Sequence, residues 1–362
     1  MRKLLTLVVA IVVIVSLAIV GCAKPAPVAP TPVTPTPVAP VEKLPEIAIR
    51  MNGLWPPGTI WDEVAVNGPA HWIEKAVPRA KVTTYPGNAL CTYPDSYMAV
   101  QEGICDFSLV YGPMTPGAFP LHEIVEQPGL FPTIPISDVV LKELYKKYPC
   151  FLDEISPQVK LMASGVLLPS DIHSTIPIRS LDDIQGKILG TTDKRAAEAM
   201  KLLGASATLM NAADLYTPLE RNVVDGVVTA WGVVEIWRLY EQVHYHTEVG
   251  VSRGAVYAFF NRSTWDKFTP EEQDKLEWIL GNRMQYATNV AATSSMIRVQ
   301  DEFILPEQGH ELIELSKEDK ATMSERFSPM WDEWAEQVEA IGYPGKDILR
   351  DAVRLIAGYS SS

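Results

Sequence analysis

The chain has 362 residues, of which 47% are hydrophobic and 21% are charged, and these proportions are those of a folded globular protein. This length corresponds to about two average domains or to one large α/β domain. The formal net charge is −13, so the molecule repels polyphosphates and nucleic-acid binding is not expected.

The N-terminus has the pattern of a secretory signal peptide. A short basic segment precedes an apolar run over residues 4–20. The sequence Ile19-Val20-Gly21-Cys22 resembles a bacterial lipobox, in which the cysteine thiol receives a diacylglycerol. We therefore expect residues 1–22 to be a lipoprotein signal peptide and Cys22 to carry the lipid, with an uncleaved membrane anchor as the alternative. Both readings place the rest of the chain outside the cytoplasmic membrane, in the periplasm or at the cell surface.

Residues 23–45 are rich in proline. Proline fixes φ and lacks a backbone donor, so this segment favours an extended polyproline II tether over a helix or strand. A ligand for a proline-recognition module is the alternative. The folded part of the chain is expected at residues 46–362, since regular patterning begins there.

The first part of this region alternates strands and helices. Strands are predicted at residues 47–51, 81–85 and 106–110, and helices at 61–75 and 97–101. This β-α-β-α-β order predicts a parallel sheet covered by helices. We expect this sheet and its helices to form the first lobe, which comprises about residues 46–165 together with segments that return to it later in the chain.

The same alternation is repeated farther along the chain. A helix is predicted near residues 141–148, and a second helix at 194–203. The predicted strands of this part are at 160–168, 187–189, 207–210 and 223–229. These elements predict a second lobe at about residues 166–255.

The last part of the chain returns to strands and then becomes helical. Strands are predicted at 242–249 and 256–261. Thr269 and Glu272 form a capping box that starts a long helix reaching about Val299, and 316–340 is helical in pattern. The chain therefore crosses between two lobes more than once, which is the usual frame for hinge closure around a ligand.

The sequence contains none of the common catalytic or cofactor-binding motifs, so no cofactor is expected. An extracytoplasmic enzyme with an unrecognised site is kept as a competing hypothesis. His244 and His246 lie on one face of a predicted strand, but no third ligand has metal-site spacing, so no metal is expected. The other histidines are scattered and are predicted to lie at the surface or in caps; they are His71, His122, His173 and His310.

Three cysteines follow Cys22, namely Cys91, Cys105 and Cys150. An odd number excludes a complete disulfide framework. A bridge between Cys91 and Cys105 and a set of buried thiols both fit the sequence, because no spacing rule separates them.

Aromatic residues follow three of the predicted strands: Trp55, Tyr111 and Trp231. Ligands of open α/β sheets bind beyond the carboxyl ends of the strands. The three rings are therefore predicted to line an apolar cleft, and burial of each ring in the core is the alternative.

Short motifs are spread along the whole folded part. They are Tyr85-Pro86-Gly87, Val100-Gln101-Glu102-Gly103-Ile104-Cys105-Asp106, Phe119-Pro120-Leu121, Ser180-Leu181-Asp182-Asp183-Ile184-Gln185-Gly186-Lys187, Leu203-Gly204-Ala205, Asp214-Leu215-Tyr216, Val223-Val224-Asp225-Gly226, Leu239-Tyr240-Glu241 and Asn261-Arg262-Ser263-Thr264-Trp265. In order and spacing they resemble the solute-binding proteins of tripartite ATP-independent periplasmic (TRAP) transporters, of the DctP type.

This resemblance implies a fold and a role. It implies a two-lobed α/β, periplasmic-binding-protein-like fold with hinge strands and a long helix crossing both lobes. It also implies capture of a small organic solute and its delivery to TRAP membrane permease subunits. A binding protein of an ABC transporter or of a sensory system, with a similar fold, is the alternative.

The resemblance also implies a ligand site. Carried over position by position, with Trp55 and Trp231 added from the strand argument, the ligand-binding residues are Asn52, Trp55, Tyr111, Ser170, Gly190, Ala212, Thr229 and Trp231. Most relatives bind the ligand carboxylate with an arginine at the position of Gly190, and Arg179 and Arg195 are out of register. We therefore expect a neutral, aromatic cleft that does not suit a simple C4-dicarboxylate.

Overall fold

A computed structural model describes residues 44–115, 117–303 and 309–360. The signal peptide, Cys22 and nearly all of the proline-rich tether lie outside the described residues, so those predictions are not tested by it. Among the helices that are described, none is both long enough and apolar enough to cross a membrane.

The strands occur in two sheets. The described strands are β1 Ile47–Asn52, β2 Ala80–Tyr85, β3 Phe107–Tyr111, β4 Val159–Pro169, β5 Asp171–Ser174, β6 Ile188–Thr191, β7 Ser206–Leu209, β8 Gly226–Thr229, β9 Tyr245–Glu248, β10 Arg253–Asn261 and β11 Glu311–Glu314.

Eight of the described helices are short or of medium length. Helix α1 starts at Ile60–Asp62 and continues through a π-helical turn, Glu63–Asn67, into Gly68–Ala76. The others are α2 Ser96–Gln101, α3 Ile134–Lys147, α4 Leu181–Ile184, α5 Lys194–Leu202, α6 Tyr216–Glu220, α7 Trp231–Ile236 and α8 Arg262–Trp265.

Three longer helices follow in the C-terminal part. Helix α9 comprises Pro270–Trp278, the π-helical Ile279–Met284 and Gln285–Phe303. It is followed by α10 Lys317–Ala340 and α11 Gly345–Ser360. The capping box of Thr269 and Glu272 forms as expected at the start of α9.

The first sheet has the order β2-β1-β3-β10-β4. Strand β1 is parallel to β2 and β3, and it buries Ile47, Ile49 and Met51 while Ala48 and Arg50 are exposed. Strand β10 is antiparallel to both β3 and β4. The three strands predicted to form a parallel sheet are parallel to one another, and the sheet becomes mixed because β10 returns from the second lobe and enters in the opposite direction.

The second sheet has the order β11-β9-β5-β8-β6-β7. Strands β6, β7 and β8 are parallel, as the repeated strand–helix pattern predicts. Strand β5 is antiparallel to β8 and β9, so this sheet is also mixed.

Two of the chain's crossings between the sheets lie next to each other. Strand β4 leads into β5 through Ser170, and β9 leads into β10 through residues 249–252. The two crossings are hydrogen-bonded to each other, because the Ser170 N–H donates to the Ser252 carbonyl at 2.8 Å and the Val251 N–H donates to the Ser170 carbonyl at 2.9 Å. They form a pair of hinge strands, as expected of a two-lobed α/β fold.

Two long helices lie against both lobes. On α9, Asn289 donates to Asp138 of α3 at 2.9 Å, and Ser295 donates to Glu235 of α7. On α10, Phe327 is buried with the core of the second sheet, whereas Trp334 donates to the carbonyl of Pro120 in the first lobe at 2.7 Å. The predicted two-lobed architecture with a long crossing helix is confirmed.

Candidate functional site

A cavity of about 440 Å³ lies where the ends of the two sheets face each other. From the first lobe it is lined by the segments after β1 and β2, by the end of β3 and by part of β4. From the second lobe it is lined by the segments after β6 and β7 and by the end of β8 with helix α7. Most of these segments follow the carboxyl ends of strands, where α/β proteins bind ligands.

Aromatic rings form much of the cavity wall. Trp55 and Trp61 are stacked, with ring centroids 5.4 Å apart and an interplanar angle of 19°. Tyr93, Tyr111 and Trp237 also line the cavity. Burial raises the pKa of Tyr93 and that of Tyr111, so both phenols are neutral at physiological pH.

The position of Tyr111 depends on a glycine in the neighbouring strand. A Cβ atom at Gly254 of β10 would lie 2.3 Å from the Tyr111 ring. A side chain there would displace the ring into the cavity. Gly254 therefore makes space for an aromatic wall residue.

Three buried polar atoms at the cavity have no hydrogen-bond partner within the described part of the chain. They are the indole nitrogen of Trp61, the hydroxyl oxygen of Thr229 and the amide oxygen of Asn88. Trp61 is 5% exposed and Thr229 is 1% exposed. Because burying an unpaired polar atom is costly, these atoms indicate where polar atoms of a ligand can bind.

The cavity lining is almost uncharged. Among the described residues that line it, Asp214 is the one acidic residue, and no lysine, arginine or histidine takes part. Asp214 accepts a hydrogen bond from Asn211 at 3.1 Å. A carboxylate in this cavity would therefore lack a cationic partner.

Three arginines that could offer a cation to a ligand are bound elsewhere. Arg179 forms an ion pair with Glu311. Arg195 pairs with Glu123 and Glu198, and Arg253 donates to the carbonyls of Phe131 and Pro132. None of the three is among the described residues that line the cavity.

The eight sequence-predicted site residues are divided between the cavity and its surroundings. Trp55, Tyr111, Ala212 and Thr229 line the cavity. Asn52, Ser170, Gly190 and Trp231 are buried outside its lining.

Each of the latter four has a different local environment. Asn52 donates to Ser108 at 3.3 Å, Ser170 lies at the hinge, and the indole of Trp231 donates to Asp171 at 3.1 Å. A Cβ atom at Gly190 would lie 3.1 Å from Leu215 and 3.5 Å from Val227, among buried side chains. A side chain at position 190 would therefore start in the core and not in the cavity.

Sequence reasoning missed several residues that line the cavity. The polar ones include Asn88, Thr92, Thr192, Asn211 and Asp214, and the aromatic and aliphatic ones include Trp61, Tyr93, Leu167, Leu168, Val233, Ile236 and Trp237. Trp61 lies at the start of a predicted helix, where spacing alone does not tell which ring is turned toward a cleft. Asn88, at φ 63°, follows the Tyr85-Pro86-Gly87 turn, and this turn was the available signal for a loop near the site.

A row of histidines starts directly beneath the cavity. Nε2 of His173 is 3.2 Å from the carbonyl of Thr229, and its Nδ1 is 2.8 Å from Nδ1 of His246. Nε2 of His246 is 3.1 Å from Nδ1 of His310, whose ring stacks on His244. His173 and His246 are fully buried, and burial lowers their pKa to about 3 and about 2.

The histidine predictions are therefore partly wrong. His173 and His122 are buried, not at the surface or in caps. The sequence did not show that His173 and His310 join His246, because the four histidines lie on different strands and loops. Among the described residues, no group of three or more histidine, cysteine or acidic side chains is arranged to hold a metal ion.

A second, polar cavity of about 350 Å³ lies between the lobes, and acidic side chains make up much of its lining. Arg195 of α5 pairs there with Glu123 of the first lobe at 3.1 Å. Glu126 is buried beside it, and burial together with Asp193 raises the pKa of Glu126. The Arg195–Glu123 pair is a direct charged link between the lobes.

Comparisons with known proteins agree with this architecture. Residues 51–337 match the family "Bacterial extracellular solute-binding protein, family 7", also called DctP. Over 208 residues the chain is 26% identical to the uncharacterised protein YiiZ of Salmonella typhimurium, a match that covers 56% of this chain and 63% of that protein. Over 172 residues it is 27% identical to the C4-dicarboxylate-binding periplasmic protein DctP of Rhodobacter capsulatus, covering 47% of this chain and 50% of that protein.

Solved structures show the same fold. A TRAP solute-binding protein from Bordetella bronchiseptica with bound mandelate has a TM-score of 0.76 and 21% identity, over 86% of this chain and 99% of that one. One from Rhodoferax ferrireducens with copurified benzoate has a TM-score of 0.75 and 16% identity, over 87% and 99%. One from Chromohalobacter salexigens with D-glucuronate has a TM-score of 0.74 and 14% identity, over 85% and 99%. The matched family is one of solute-binding proteins, and these solved structures with the same fold are solute-binding proteins as well.

Proposed function

Because this chain belongs to family 7 of the bacterial extracellular solute-binding proteins, the DctP type, we propose that it captures a small organic solute between its lobes and delivers it to the membrane subunits of a TRAP transporter. Solute binding is the role of the family. The delivery partner is inferred from the structural neighbours, which are TRAP solute-binding proteins. The cavity where the two sheets meet supports a binding site at this position.

The solute that we propose has an apolar or aromatic body. The stacked pair of Trp55 and Trp61 offers a flat surface for a ring, and Leu167, Leu168 and Val233 are apolar neighbours. Two of the neighbouring structures hold mandelate and benzoate, which are aromatic acids. An aromatic ligand therefore fits both the lining of this cavity and the range of ligands that relatives bind.

The polar part of this solute is proposed to be uncharged. The indole N–H of Trp61 and the hydroxyl of Thr229 can each donate to a ligand carbonyl or hydroxyl oxygen. A carboxylate would lose its water without meeting a cation, at a cost of several kcal/mol. The absence of lysine, arginine and histidine from the described lining is the observation that carries this proposal.

Calorimetry with matched ligand pairs tests the proposal. Benzamide and benzyl alcohol should bind more tightly than benzoate, and succinate and malate should bind at millimolar level or not at all. Micromolar binding of succinate or malate to the unmodified protein would contradict an uncharged ligand. Failure of all aromatic solutes to raise the melting temperature would contradict the aromatic part.

Single substitutions in the cavity wall test whether the solute binds there. Trp61→Phe keeps a ring on Trp55 but removes the N–H, and Thr229→Val removes the hydroxyl at nearly constant volume. Each should weaken the tightest ligand about 5- to 10-fold, which corresponds to about 1 kcal/mol for one hydrogen bond. Trp278→Phe is the matched control, because Trp278 is exposed and lies outside the cavity lining.

We also propose that the mature protein is anchored by a lipid on Cys22 to the outer face of the cytoplasmic membrane. The lipobox-like sequence before Cys22 and the proline-rich tether after it support this proposal. Cys22→Ser should abolish labelling with palmitate and release the protein from the membrane fraction. Unchanged labelling and fractionation of the variant would show that the anchor is not at Cys22.

A further inference from the structure

Two of the three cysteines of the folded part lie beside each other in the first lobe. Cys91 and Cys105 are both free thiols in this structure, and a hydrogen bond between their side chains shifts the pKa of each. Cys105 is fully buried in the core of the first lobe, and the half-buried Cys91 packs against the same core. The sequence left open whether these residues are paired, and the fold brings them together.

The contact joins two parts of the cavity wall. Cys91 belongs to the segment between β2 and α2, from which Asn88, Thr92 and Tyr93 line the cavity. Cys105 precedes β3, whose last residue, Tyr111, also lines the cavity. A covalent bond at this contact would connect the loop wall to a central strand of the first sheet.

Cys105 is held in place by the backbone around it. The N–H groups of Ile104 and Cys105 both donate to the carbonyl of Ala99 near the end of α2, at 2.8 and 3.2 Å. Asp106 then bonds to Arg50 of β1. Cys105 is therefore a fixed partner for the more exposed Cys91.

The two thiols differ in reactivity. The hydrogen bond between them lowers the pKa of Cys91, and the same bond together with burial raises the pKa of Cys105. The thiolate is the reactive form of cysteine, and access to the sulfur is also required. Cys91 is the sulfur that meets both conditions.

The compartment supports oxidation of this pair. The family is extracellular, and disulfides form and persist outside the cytoplasm. We propose that Cys91 and Cys105 form a disulfide in the exported protein and that this bond fixes the loop wall of the ligand cavity. The part of this proposal that concerns the cavity rests on the proposed function, whereas the bond itself does not.

The oxidant is a disulfide, either of an extracytoplasmic thiol oxidant protein or of oxidised glutathione. The Cys91 thiolate attacks one sulfur of that disulfide, the oxidant's S–S bond breaks, and the first thiol of the oxidant leaves. The Cys105 thiol gives its proton to solvent and attacks Cys91 in the mixed disulfide. The Cys91–Cys105 bond forms and the second oxidant thiol leaves, so two cysteines are oxidised and one disulfide is reduced.

Peptide mapping of the exported full-length protein tests the bond directly. Under non-reducing conditions, with free thiols blocked first, the peptides containing Cys91 and Cys105 should elute as one linked species that separates on reduction. Recovery of both peptides alkylated, even after incubation with oxidised glutathione, would overturn the proposal.

Thermal unfolding tests the effect of the bond on stability. A bridge that closes a loop of about 15 residues restricts the unfolded chain, so reductant should lower the melting temperature of the wild type by about 4 °C. Cys91→Ser should melt at the lower temperature and no longer respond to reductant. Cys150→Ser is the matched control and should respond as the wild type does. Equal melting temperatures of oxidised and reduced wild type would overturn the stabilising role.

The effect on the cavity has a readout that needs no ligand. Reduction should increase amide hydrogen exchange in residues 87–95, and Cys150→Ser should show the same increase. Unchanged exchange would overturn the role of the bond in fixing the wall. The two proposals can fail separately. If the linked peptide is found but the protein binds none of the aromatic solutes, the disulfide is established and the proposed ligand is contradicted.

Discussion

The buried histidines make the folded protein sensitive to acid. In the unfolded chain each histidine takes up a proton near pH 6.5, whereas in the folded protein the pKa is about 3 for His173 and about 2 for His246. Between the folded and unfolded pKa values the unfolded state binds more protons than the folded state. The stability that the neutral histidines contribute is therefore fully present above about pH 6.5 and is lost as the pH falls. The loss is about 1.4 kcal/mol per pH unit for each histidine.

We expect His173→Gln to have a free energy of unfolding that depends less on pH than that of the wild type. The two curves, measured by urea unfolding, should approach each other between pH 6 and pH 4, because one titrating group has been removed. Asp171, with a pKa raised to about 6, acts in the opposite direction but is common to both proteins. His71→Gln changes an exposed histidine and should follow the wild type. Parallel curves for His173→Gln and the wild type would contradict the assignment.

Single residues could be placed from the sequence only where the backbone fixes their direction. Trp55 and Tyr111 directly follow strands, and both line the cavity. Trp231 also follows a strand, but it is the first residue of α7 and its ring turns toward Asp171 and His173. Trp61 depends on how α1 packs against the second lobe, and no local pattern encodes that packing.

At the level of elements, one carboxylate connects the long helix α9 to the first sheet. Glu272 accepts from the N–H of Thr269 at 2.8 Å and from two nitrogens of Arg79 at 2.8 and 2.6 Å. Arg79 directly precedes β2. The pair with Arg79 lowers the pKa of Glu272 to about 2.

We expect Glu272→Gln to lower the free energy of unfolding by about 1–3 kcal/mol at pH 7, as for a charge-assisted hydrogen bond that is mostly buried. Because the folded pKa is depressed, this contribution is present above about pH 4.5 and is lost as the pH falls toward 2. Glu271→Gln is the matched control, because among its described contacts Glu271 pairs only with the exposed Lys275, and this change should cost less stability than Glu272→Gln. Equal losses for the two variants would contradict the connection.

Elements with strong local signals were predictable, and elements set by their neighbours were not. The strands and helices of the first lobe follow from alternating or helical apolar spacing, and α9 follows from its capping box. Strand β5 has the sequence Asp-Ile-His-Ser, and it becomes a strand because β8 and β9 lie on either side of it. The directions of β5 and β10 depend on crossings between lobes, which strand spacing does not record.

At the level of the whole molecule, the lobes are joined by hinge strands and by the ion pair of Arg195 and Glu123. This pair is mostly buried, with side chains 13% and 21% exposed. Neither residue is among the described residues that line the cavity that we propose for the ligand. Closure of such a fold brings the two walls of a ligand site together. The pair therefore favours the arrangement in which both walls contact the ligand.

Arg195→Gln should weaken ligand binding about 3- to 10-fold in calorimetry, because closure loses one interlobe contact worth about 1 kcal/mol. Small-angle scattering should show that ligand lowers the radius of gyration of the wild type, and less so that of the variant. Arg179→Gln is the matched control, because Arg179 pairs with Glu311 inside the second lobe. Equal affinities of the two variants would exclude a role for the Arg195–Glu123 pair in closure.

The stacked indoles of Trp55 and Trp61 have an optical consequence. Two nearly parallel rings with centroids 5.4 Å apart have coupled electronic transitions, and a coupled pair in a fixed chiral arrangement gives a circular-dichroism signal that isolated tryptophans lack. An aromatic solute inserted against this pair adds a third chromophore and changes the signal. The protein therefore carries its own spectroscopic reporter of occupancy at the place where the ligand is expected to bind, and solutes can be screened without a label.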